Sequence, residues 1–348
     1  MRSNEQGLAL IDSVPGSLVR VLGEVDTSRG MERLNSAQVP GLLQQLALRA
    51  RVQSVKASSA LEGVIVPDER RADRIINRAA DRFRTRSEQE LAGYRDALDY
   101  VWKTDWRPLN VGLVLHLHRL LLGHTAAPGG AFKNEDNLVI DRLPDGQQLV
   151  RFRPVSAAGT PWAVEELITR YDEESRAGRH HPLLLVGLFI LDLLVIHPFE
   201  DGNGRVARIL TNALLDDAGY GVARYVSLEQ LVAESEEQYY ASLLASTHGW
   251  HEGQHDPWPW LRYLADQVRN AYATFEQRVA AGQAKGGKRE RVTDYVLGDA
   301  PAVFRIADIR AALPGISDAT IRNALDELRA VGKVEVDGTG RSATWSRR

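Results

Sequence analysis

The chain has 348 residues, of which 44% are apolar and 26% are charged, and its formal net charge is −3. This length suffices for two or three globular domains, and the charge gives no overall attraction to nucleic acid or to a membrane surface. The sequence contains no cysteine, which excludes disulfides, thiolate metal sites and cysteine nucleophiles and fits a reducing compartment.

Periodic apolar residues predict a mainly α-helical chain up to about residue 281. The first predicted helix begins at Pro40, because proline is tolerated in a first turn. It stops at Gly63, since glycine is favoured just after a last turn. Further helices are predicted over residues 87–102, 110–123, 160–178, 182–196, 236–248 and 256–281.

The most apolar run covers residues 183–196. It is shorter than the ~20 residues that a membrane-spanning helix needs, and Asp192 interrupts it. We therefore expect a buried core helix, a protein without a membrane partner, and a cytoplasmic location.

A β-rich segment interrupts the helical pattern within residues 129–154. The runs NLVI and QLVRF flank the turn signal Pro144-Asp145-Gly146. This pattern predicts a β-hairpin at about residues 136–153.

Residues 282–288, GQAKGGK, have the composition of a linker. Beyond them, residues 289–348 show three short helical patterns, then a strand, a glycine-containing turn and a second strand, an order typical of a winged helix-turn-helix. Arginines that could contact DNA phosphates are mixed with acidic residues, so DNA binding, protein interaction and homodimer formation all stay open. The residues concerned are Arg322, Arg329, Arg341, Arg347 and Arg348, with Asp318, Asp326 and Glu327.

The segment HPFEDGNGRVAR occupies residues 197–208. The proline after His197 ends the preceding helix, and a new apolar helical pattern runs on to about Gly219. The segment is therefore a loop that leads into a helix N terminus. Such an end offers unpaired backbone N–H groups and a positive dipole, which together bind anions.

Four residues of this loop suit a phosphate group. Gly202 and Gly204 let the backbone approach a phosphate without a Cβ in the way. Arg205 and Arg208 are three residues apart on one helical face, so both guanidinium groups could bind phosphate oxygens.

The same loop carries groups for catalysis. Asp201 could hold a Mg²⁺ ion that bridges phosphate oxygens, and His197 could take a proton from a hydroxyl near neutral pH. Phe199 is expected to lie in the core. The combination predicts a site for phosphoryl or nucleotidyl transfer.

The loop resembles the Fic family motif, His-Pro-Phe-x-Asp/Glu-Gly-Asn-Gly-Arg-x-x-Arg, at every fixed position, and the likeness extends over about residues 50–275. The resemblance implies transfer of AMP from ATP, with Mg²⁺, to a Ser, Thr or Tyr hydroxyl of a protein. The related Doc toxins, which act as kinases, have Ala-Asn-Lys where this chain has Gly202-Asn203-Gly204. This difference favours nucleotidyl transfer.

Carried over by position, the resemblance implies a role for each motif residue. His197 is the general base on the target hydroxyl, Asp201 is the Mg²⁺ ligand, and Phe199 anchors the loop in the core. The phosphates of ATP are bound by Gly202, Asn203 and Gly204 as an anion hole, by Arg205, and by Arg208 at the γ-phosphate.

The resemblance also covers the hairpin and a later helix. The hairpin matches the flap that holds a segment of the target protein by strand addition. Tyr239 or Tyr240 is implied near the adenine, and core packing is the alternative for both tyrosines.

Residues 58–63, SSALEG, resemble the family's inhibitory pattern, Ser/Thr-x-x-x-Glu-Gly/Asn. Ser58 and Glu62 share one helical face before Gly63, and Glu62 lies at a helix C terminus, where the dipole disfavours an anion. The resemblance implies that Arg208 meets this carboxylate and that the pair occupies the γ-phosphate site. The alternative is a solvated glutamate before a capping glycine.

The sequence thus predicts a mainly α fold with a Fic-type core, a hairpin flap and a small C-terminal winged helix domain. The expected division is residues 1–100 with an inhibitory helix at about 40–63, residues 101–281 as the core, a linker at 282–288, and residues 289–348. The leading hypothesis is a self-inhibited protein adenylyltransferase. The alternatives are a DNA-binding regulator with a nucleotide-sensing Fic domain, an enzyme with another donor such as UTP, and an enzyme that removes AMP.

Overall fold

A computed structural model describes residues 13–38, 40–142, 148–284, 288–338 and 343–347. In this part the chain is mainly helical, as predicted, and its strands form a two-stranded and a three-stranded sheet. The elements before residue 285 are α1 (Gly16–Gln38), α2 (Pro40–Ala60), α3 (Glu69–Ile76), α4 (Arg86–Lys103), α5 (Val111–Leu122), β1 (Val139–Arg142), β2 (Gln148–Phe152), α6 (Thr160–Ala177), α7 (Pro182–Ile196), α8 (Asn203–Asp217), α9 (Leu228–Glu234), α10 (Glu236–Thr247) and α11 (Trp258–Ala284). Those after residue 287 are α12 (Lys288–Asp294), β3 (Val303–Phe304), α13 (Ile306–Ala312), α14 (Asp318–Ala330), β4 (Val334–Asp337) and β5 (Thr344–Arg347).

The sequence pattern does not predict α1, because three glycines lower its intrinsic helix propensity. Tertiary packing decides this helix instead. It buries Leu18 and Val25 and lies against α11, where the Tyr272 hydroxyl donates a hydrogen bond of 2.8 Å to Glu32.

Helix α2 ends at Ala60, slightly earlier than predicted, and a tight turn follows. The N–H of Val64 donates to the carbonyl of Ser59 at 2.9 Å, and Gly63 has a φ of 72°, which glycine adopts without strain. This turn determines where the carboxylate of Glu62 lies.

Within the described residues, one hydrophobic core extends from Leu18 in α1 to Val279 in α11. Helix α7 is buried along almost its whole length, and its Asp192 accepts a hydrogen bond of 2.8 Å from Trp250 Nε1. The predicted boundary after residue 100 falls inside α4, whose residues belong to this core. The structure therefore joins the N-terminal helices and the predicted core into one unit. No helix in the described ranges is long and apolar enough to cross a membrane.

The part that follows residue 287, which we call the C-terminal module, has a hydrophobic core of its own from Val292 to Trp345. Helix α11 continues to Ala284, three residues into the predicted linker, and residues 285–287 lie outside the described residues. Strand β5 pairs antiparallel with β3 on one side and with β4 on the other. With two residues, β3 is too short to leave a sequence pattern.

The C-terminal module packs on α2 and α3. Arg49 of α2 forms an ion pair with Asp299, and Arg70 of α3 lies 3.0 Å from Glu335. The backbone N–H of Ala302 donates to Asp73. The module therefore contacts the same helix that carries Ser58.

Strands β1 and β2 form the predicted hairpin and pair antiparallel, with Asp141 opposite Leu149 and a shift of register after Val139. The predicted turn, Pro144-Asp145-Gly146, lies outside the described residues. The side chains of Leu138 and Val150 are exposed apolar groups on this hairpin.

Candidate active site

The motif loop begins where α7 ends. The proline that follows His197 removes it from the helix as predicted, but its backbone is left-handed, with φ 50° and ψ 62°, rather than extended. This conformation lets its N–H donate to the carbonyl of Leu193 at 3.0 Å, which closes the last turn of the helix. A left-handed non-glycine residue is unfavourable unless its surroundings hold it, and such residues cluster at functional sites.

The ring of His197 has a defined tautomer. Its Nδ1 lies 3.2 Å from the carbonyl oxygen of Leu194, which can only accept, so Nδ1 carries the proton. Nε2 then has a free lone pair. Burial lowers the pKa of His197 below its ordinary value of 6.5, so the ring is a neutral base at pH 7.

Contacts within the loop fix its path. Phe199 is 0% exposed, as predicted for an anchor in the core. The side chain of Asn203 accepts from the N–H of Phe199 at 2.9 Å and donates to its carbonyl at 2.7 Å. Its amide is thus engaged with the loop rather than directed at a phosphate position.

His118 on α5 supports the loop, although nothing in the sequence marks it as a site residue. Its ring stacks on Phe199 with 3.8 Å between the centroids, and its Nδ1 accepts from the N–H of Gly130 at 3.0 Å. Nε2 therefore carries the proton and donates to the carbonyl of Asp201 at 3.2 Å. Burial lowers the pKa of His118 to about 4.

Gly202 starts α8 with a φ of 85°, a conformation that strongly favours glycine. The following N–H groups lie in the first turn of a helix, where they have no intrahelical acceptor. A Cβ at residue 202 would lie 2.8 Å from Leu121 Cδ2. The bare backbone is thus required by the fold and leaves an anion site at the helix start.

Substitution of Gly202 by alanine is expected to lower the free energy of unfolding by about 1–2 kcal/mol, because an L residue is strained in the left-handed region. Thermal and urea unfolding would measure this loss. Gly30→Ala is the matched control, since Gly30 is helical with nothing within 4 Å of a Cβ; it should be neutral or slightly stabilising. Equal stability of the two variants would contradict the argument.

Asp201 is exposed at the site, whereas Arg205 is buried. The side chain of Asp201 is 51% exposed, and its Oδ1 accepts from the N–H of Gly202 at 2.6 Å. Arg205 is 2% exposed and bonds to Glu90 and, at 3.0 Å, to Asp201. The predicted phosphate contact by Arg205 is therefore not supported by this geometry. Its guanidinium instead ties the exposed carboxylate to the core.

Arg208 meets the inhibitory segment, in the arrangement that the resemblance implies. Its Nη2 lies 2.7 Å from Glu62 Oε1, and its Nε donates to Ser58 Oγ at 2.8 Å. A Cβ on Gly204 would overlap Glu62 Oε1, so the carboxylate lies directly on the backbone of the motif loop. Burial alone would lower the pKa of Arg208, but the charge of Glu62 raises it well above its usual range.

A buried hydrogen-bond network holds α2 at Ser54, one helical turn before Ser58. Ser54 Oγ donates to Glu229 Oε2 at 2.7 Å. The other oxygen of Glu229 accepts from Asn212 at 2.6 Å and from the Tyr94 hydroxyl at 2.9 Å. Because Asn212 follows Arg208 by one helical turn, successive turns of α2 and α8 face each other.

The two tyrosines differ. Tyr239 is buried in an aromatic cluster, with its ring centroid 5.9 Å from that of Trp260 and 5.8 Å from that of Tyr263. Tyr240 is half-buried, and its hydroxyl lies 3.5 Å from the carbonyl of Leu61, next to Glu62. Of the two, Tyr240 therefore has the surface position that an adenine contact requires.

The geometry is that of a helical protein with an anion site beside a neutral histidine base. Residues 108–215 match the sequence model of the Fic/DOC family, and this part of the chain is a Fic/DOC domain. A protein adenylyltransferase Fic from Drosophila mojavensis is 29% identical over 183 residues, which cover 51% of this chain and 31% of that protein. A protein of the same name from Nematostella vectensis is 28% identical over 182 residues, covering 51% and 37%. The chain thus spans about a third of the length of these curated relatives.

Solved structures show the same fold. A Fic family protein from Desulfovibrio desulfuricans superimposes with a TM-score of 0.61 at 19% identity, over 96% of this chain and 97% of that chain. Fic-1 from C. elegans superimposes with a TM-score of 0.56 at 19% identity, over 82% and 76%.

Proposed function

We propose that the protein transfers AMP from ATP to a hydroxyl group of a protein. The observation that carries this proposal is the free Nε2 of His197 beside the glycine-lined N terminus of α8. Its location in a Fic/DOC domain, with relatives that are named protein adenylyltransferases, supports the choice of donor and acceptor.

In the proposed reaction, Nε2 of His197 accepts the proton of the target hydroxyl. The hydroxyl oxygen forms a bond to the α-phosphorus, the bond from that phosphorus to the bridging oxygen breaks, and pyrophosphate leaves. The N–H groups at the start of α8 stabilise the phosphate charge, and Gly202 and Gly204 give the backbone access to it. Arg208 binds the γ-phosphate, and Tyr240 is the candidate for the adenine contact.

A Mg²⁺ ion fits this site through Asp201. Mg²⁺ is usually held by one or two carboxylates together with phosphate oxygens and water, and it neutralises phosphate charge. Among the described residues, no group of three or more His, Asp or Glu side chains could hold a metal alone. The carboxylate of Asp201 is exposed and pairs with Arg205, so it could serve as the single carboxylate ligand of such an ion.

The target protein is proposed to dock on the hairpin of β1 and β2. A two-stranded hairpin has outer edges that can pair with an extended segment through main-chain hydrogen bonds. The base of the hairpin is attached to the motif loop, because Asn137 Nδ2 donates to the carbonyl of Phe199 at 3.0 Å. A segment added here would run past His197.

Autoinhibition is proposed through Glu62. Its carboxylate bonds to Arg208 and covers the backbone at Gly204, where the γ-phosphate would otherwise bind. ATP could then bind only with its phosphates displaced. The resting enzyme would be slow although its base and its anion site are intact.

The test of the function is incubation of Glu62→Gly with Mg²⁺ and each nucleoside triphosphate in turn, followed by intact mass. We expect an AMP adduct with ATP that needs His197. If an adduct forms with another donor, the transferred group is that nucleotide and not AMP. If no donor gives an adduct, the proposal is refuted.

Substitution of Ser54 by alanine is expected to raise AMP transfer about fivefold over wild type, because α2 loses a hydrogen bond to Glu229 of about 1 kcal/mol. The rate of adduct formation measures this. Ser59→Ala is the matched control, since Ser59 is a buried serine of the same helix whose Oγ has no hydrogen-bond partner in the described structure. An unchanged rate in Ser54→Ala would show that the network does not hold the inhibitory helix.

For the C-terminal module we propose a winged helix arrangement, based on its three helices followed by β4 and β5. Two of its described arginines pair within the module, Arg310 with Asp318 and Arg289 with Glu327, whereas Arg322 and Arg329 are exposed on α14. Arg341 and Arg348 lie outside the described residues. No observation favours DNA over a protein partner, so DNA binding is not added to the proposed function.

A further inference from the structure

The segment Lys133–Asn137, which we call the clamp, lies just before the hairpin and holds the backbone of the motif loop. The backbone N–H of Lys133 donates to the carbonyl of Pro198 at 2.9 Å, and its Nζ donates to the carbonyl of Ile196 at 3.1 Å. Asn137 Nδ2 donates to the carbonyl of Phe199 at 3.0 Å. These bonds satisfy carbonyl groups on both sides of the left-handed His197.

The two side chains of the clamp also support each other. Nζ of Lys133 donates to Asn137 Oδ1 at 2.9 Å, which orients the amide so that its Nδ2 faces the loop. Lys133 is 3% exposed, and in the described structure its Nζ donates to neutral oxygens. Burial lowers the pKa of Lys133 to about 8, so at pH 7 the ammonium remains charged next to the loop.

This buried charge acts on His197. The carbonyl of Leu194 on α7 lies 3.2 Å from Nδ1 of the imidazole, and the charges of Glu62, on the turn after α2, and of Lys133, in the clamp, also act on the ring. Beyond the effect of burial, Lys133 lowers the pKa of the ring and Glu62 raises it. The two charges therefore act with opposite signs on the proposed base.

We propose that Lys133 and Asn137 are positioning residues of the transfer reaction: both hold the strained turn at His197, and the lysine ammonium, held on the carbonyl of the residue before His197, supplies a positive charge beside the ring. The proposal rests on the function proposed for His197. The contributions of hydrogen bonding and of charge can be measured separately, because Asn137 holds the backbone without a charge whereas Lys133 supplies both a hydrogen bond and a charge.

The first test measures the imidazole directly by NMR titration in the full chain, with the resonance assigned by its loss in His197→Gln. Lys133→Met should move the midpoint of His197 to higher pH, and Lys133→Arg, which keeps the charge, should leave it in place. Glu62→Gln is the matched control with the opposite sign and should move the midpoint to lower pH. If Lys133→Met leaves the midpoint unchanged or lowers it, the electrostatic part is overturned; Lys133→Gln serves if the methionine variant does not fold.

The second test measures AMP transfer in the Glu62→Gly background. Asn137→Ala should lower kcat about tenfold to a hundredfold by misplacing the base, and should not move the acid limb of the pH profile. Lys133→Met should lower kcat and also move that limb to higher pH. Full activity of Asn137→Ala would overturn the positioning role. If the background variant itself transfers nothing, the proposed function fails, whereas the NMR result still decides whether the charge acts on His197.

Discussion

Replacement of Glu62 by glycine is expected to raise the rate of AMP transfer roughly tenfold to a hundredfold over wild type. A hydrogen bond between charged groups contributes about 1.5–3 kcal/mol, and ATP must displace this one to place its γ-phosphate on Arg208. Because ATP can also bind with its phosphates displaced while the pair is intact, saturating ATP does not remove the inhibition. The measurement is the rate of adduct formation under saturating Mg-ATP, read as intact mass.

Two controls show whether the released contact is ionic. Glu62→Gln keeps a hydrogen-bond acceptor but loses the charge, so its rate should lie between those of wild type and Glu62→Gly. Glu69→Gly removes a glutamate that pairs with Lys56 outside the site, and it should leave the rate near that of wild type. Equal labelling by wild type and Glu62→Gly would refute autoinhibition by this residue.

The second large effect is expected at His197. In the Glu62→Gly background, His197→Ala should lower kcat by about two to four orders of magnitude, which is the usual contribution of a general base. Binding of ATP should persist, because the phosphate contacts lie on α8. The measurement combines single-turnover transfer with nucleotide binding, and the matched control is His248→Ala, an exposed histidine at the end of α10. Comparable transfer by His197→Ala would show that another group removes the proton.

The same residue sets the expected pH dependence. A base acts in its neutral form, and burial lowers the pKa of His197 from 6.5. Transfer should therefore be constant between pH 6.5 and the titration of Lys133 at about 8, and it should fall as the pH drops through the lowered pKa of His197. An acid limb above 6.5 in the Glu62→Gly background would contradict a neutral, buried base.

The parts of the site that the sequence predicts are those encoded by local spacing. The motif places a glycine-rich helix start directly after His197, and a separation of four residues puts Ser58 and Glu62 on one face of α2. Helix α7 is equally clear, because its apolar run is longer than an ordinary strand and shorter than the ~20 residues that a membrane-spanning helix needs. These elements depend on neighbours within one or two turns.

The supporting residues are different, because their partners are distant in the chain. His118, Lys133 and Glu229 reach the site from separate segments, and nothing next to them in sequence distinguishes them from ordinary core or loop residues. For Arg205 the sequence predicts a contact that a partner distant in the chain prevents. Its spacing from Arg208 predicts that both arginines contact phosphate, but Glu90 on α4 holds the Arg205 guanidinium in the core. Such assignments require tertiary structure.

The missing side chain of Gly204 is needed both in the inhibited state and in the active state that we propose. The missing side chain makes room for the carboxylate of Glu62, and in the proposed reaction the same room admits phosphate. In the proposed reaction a side chain here would press on the carboxylate of Glu62 and on the bound phosphate alike, so a substitution that weakens inhibition is expected to weaken transfer as well. Under this proposal, a variant that loses inhibition but keeps transfer is expected to carry its change at Glu62 rather than at Gly204. The proposed inhibited state thus uses the same bare backbone that the proposed active state needs.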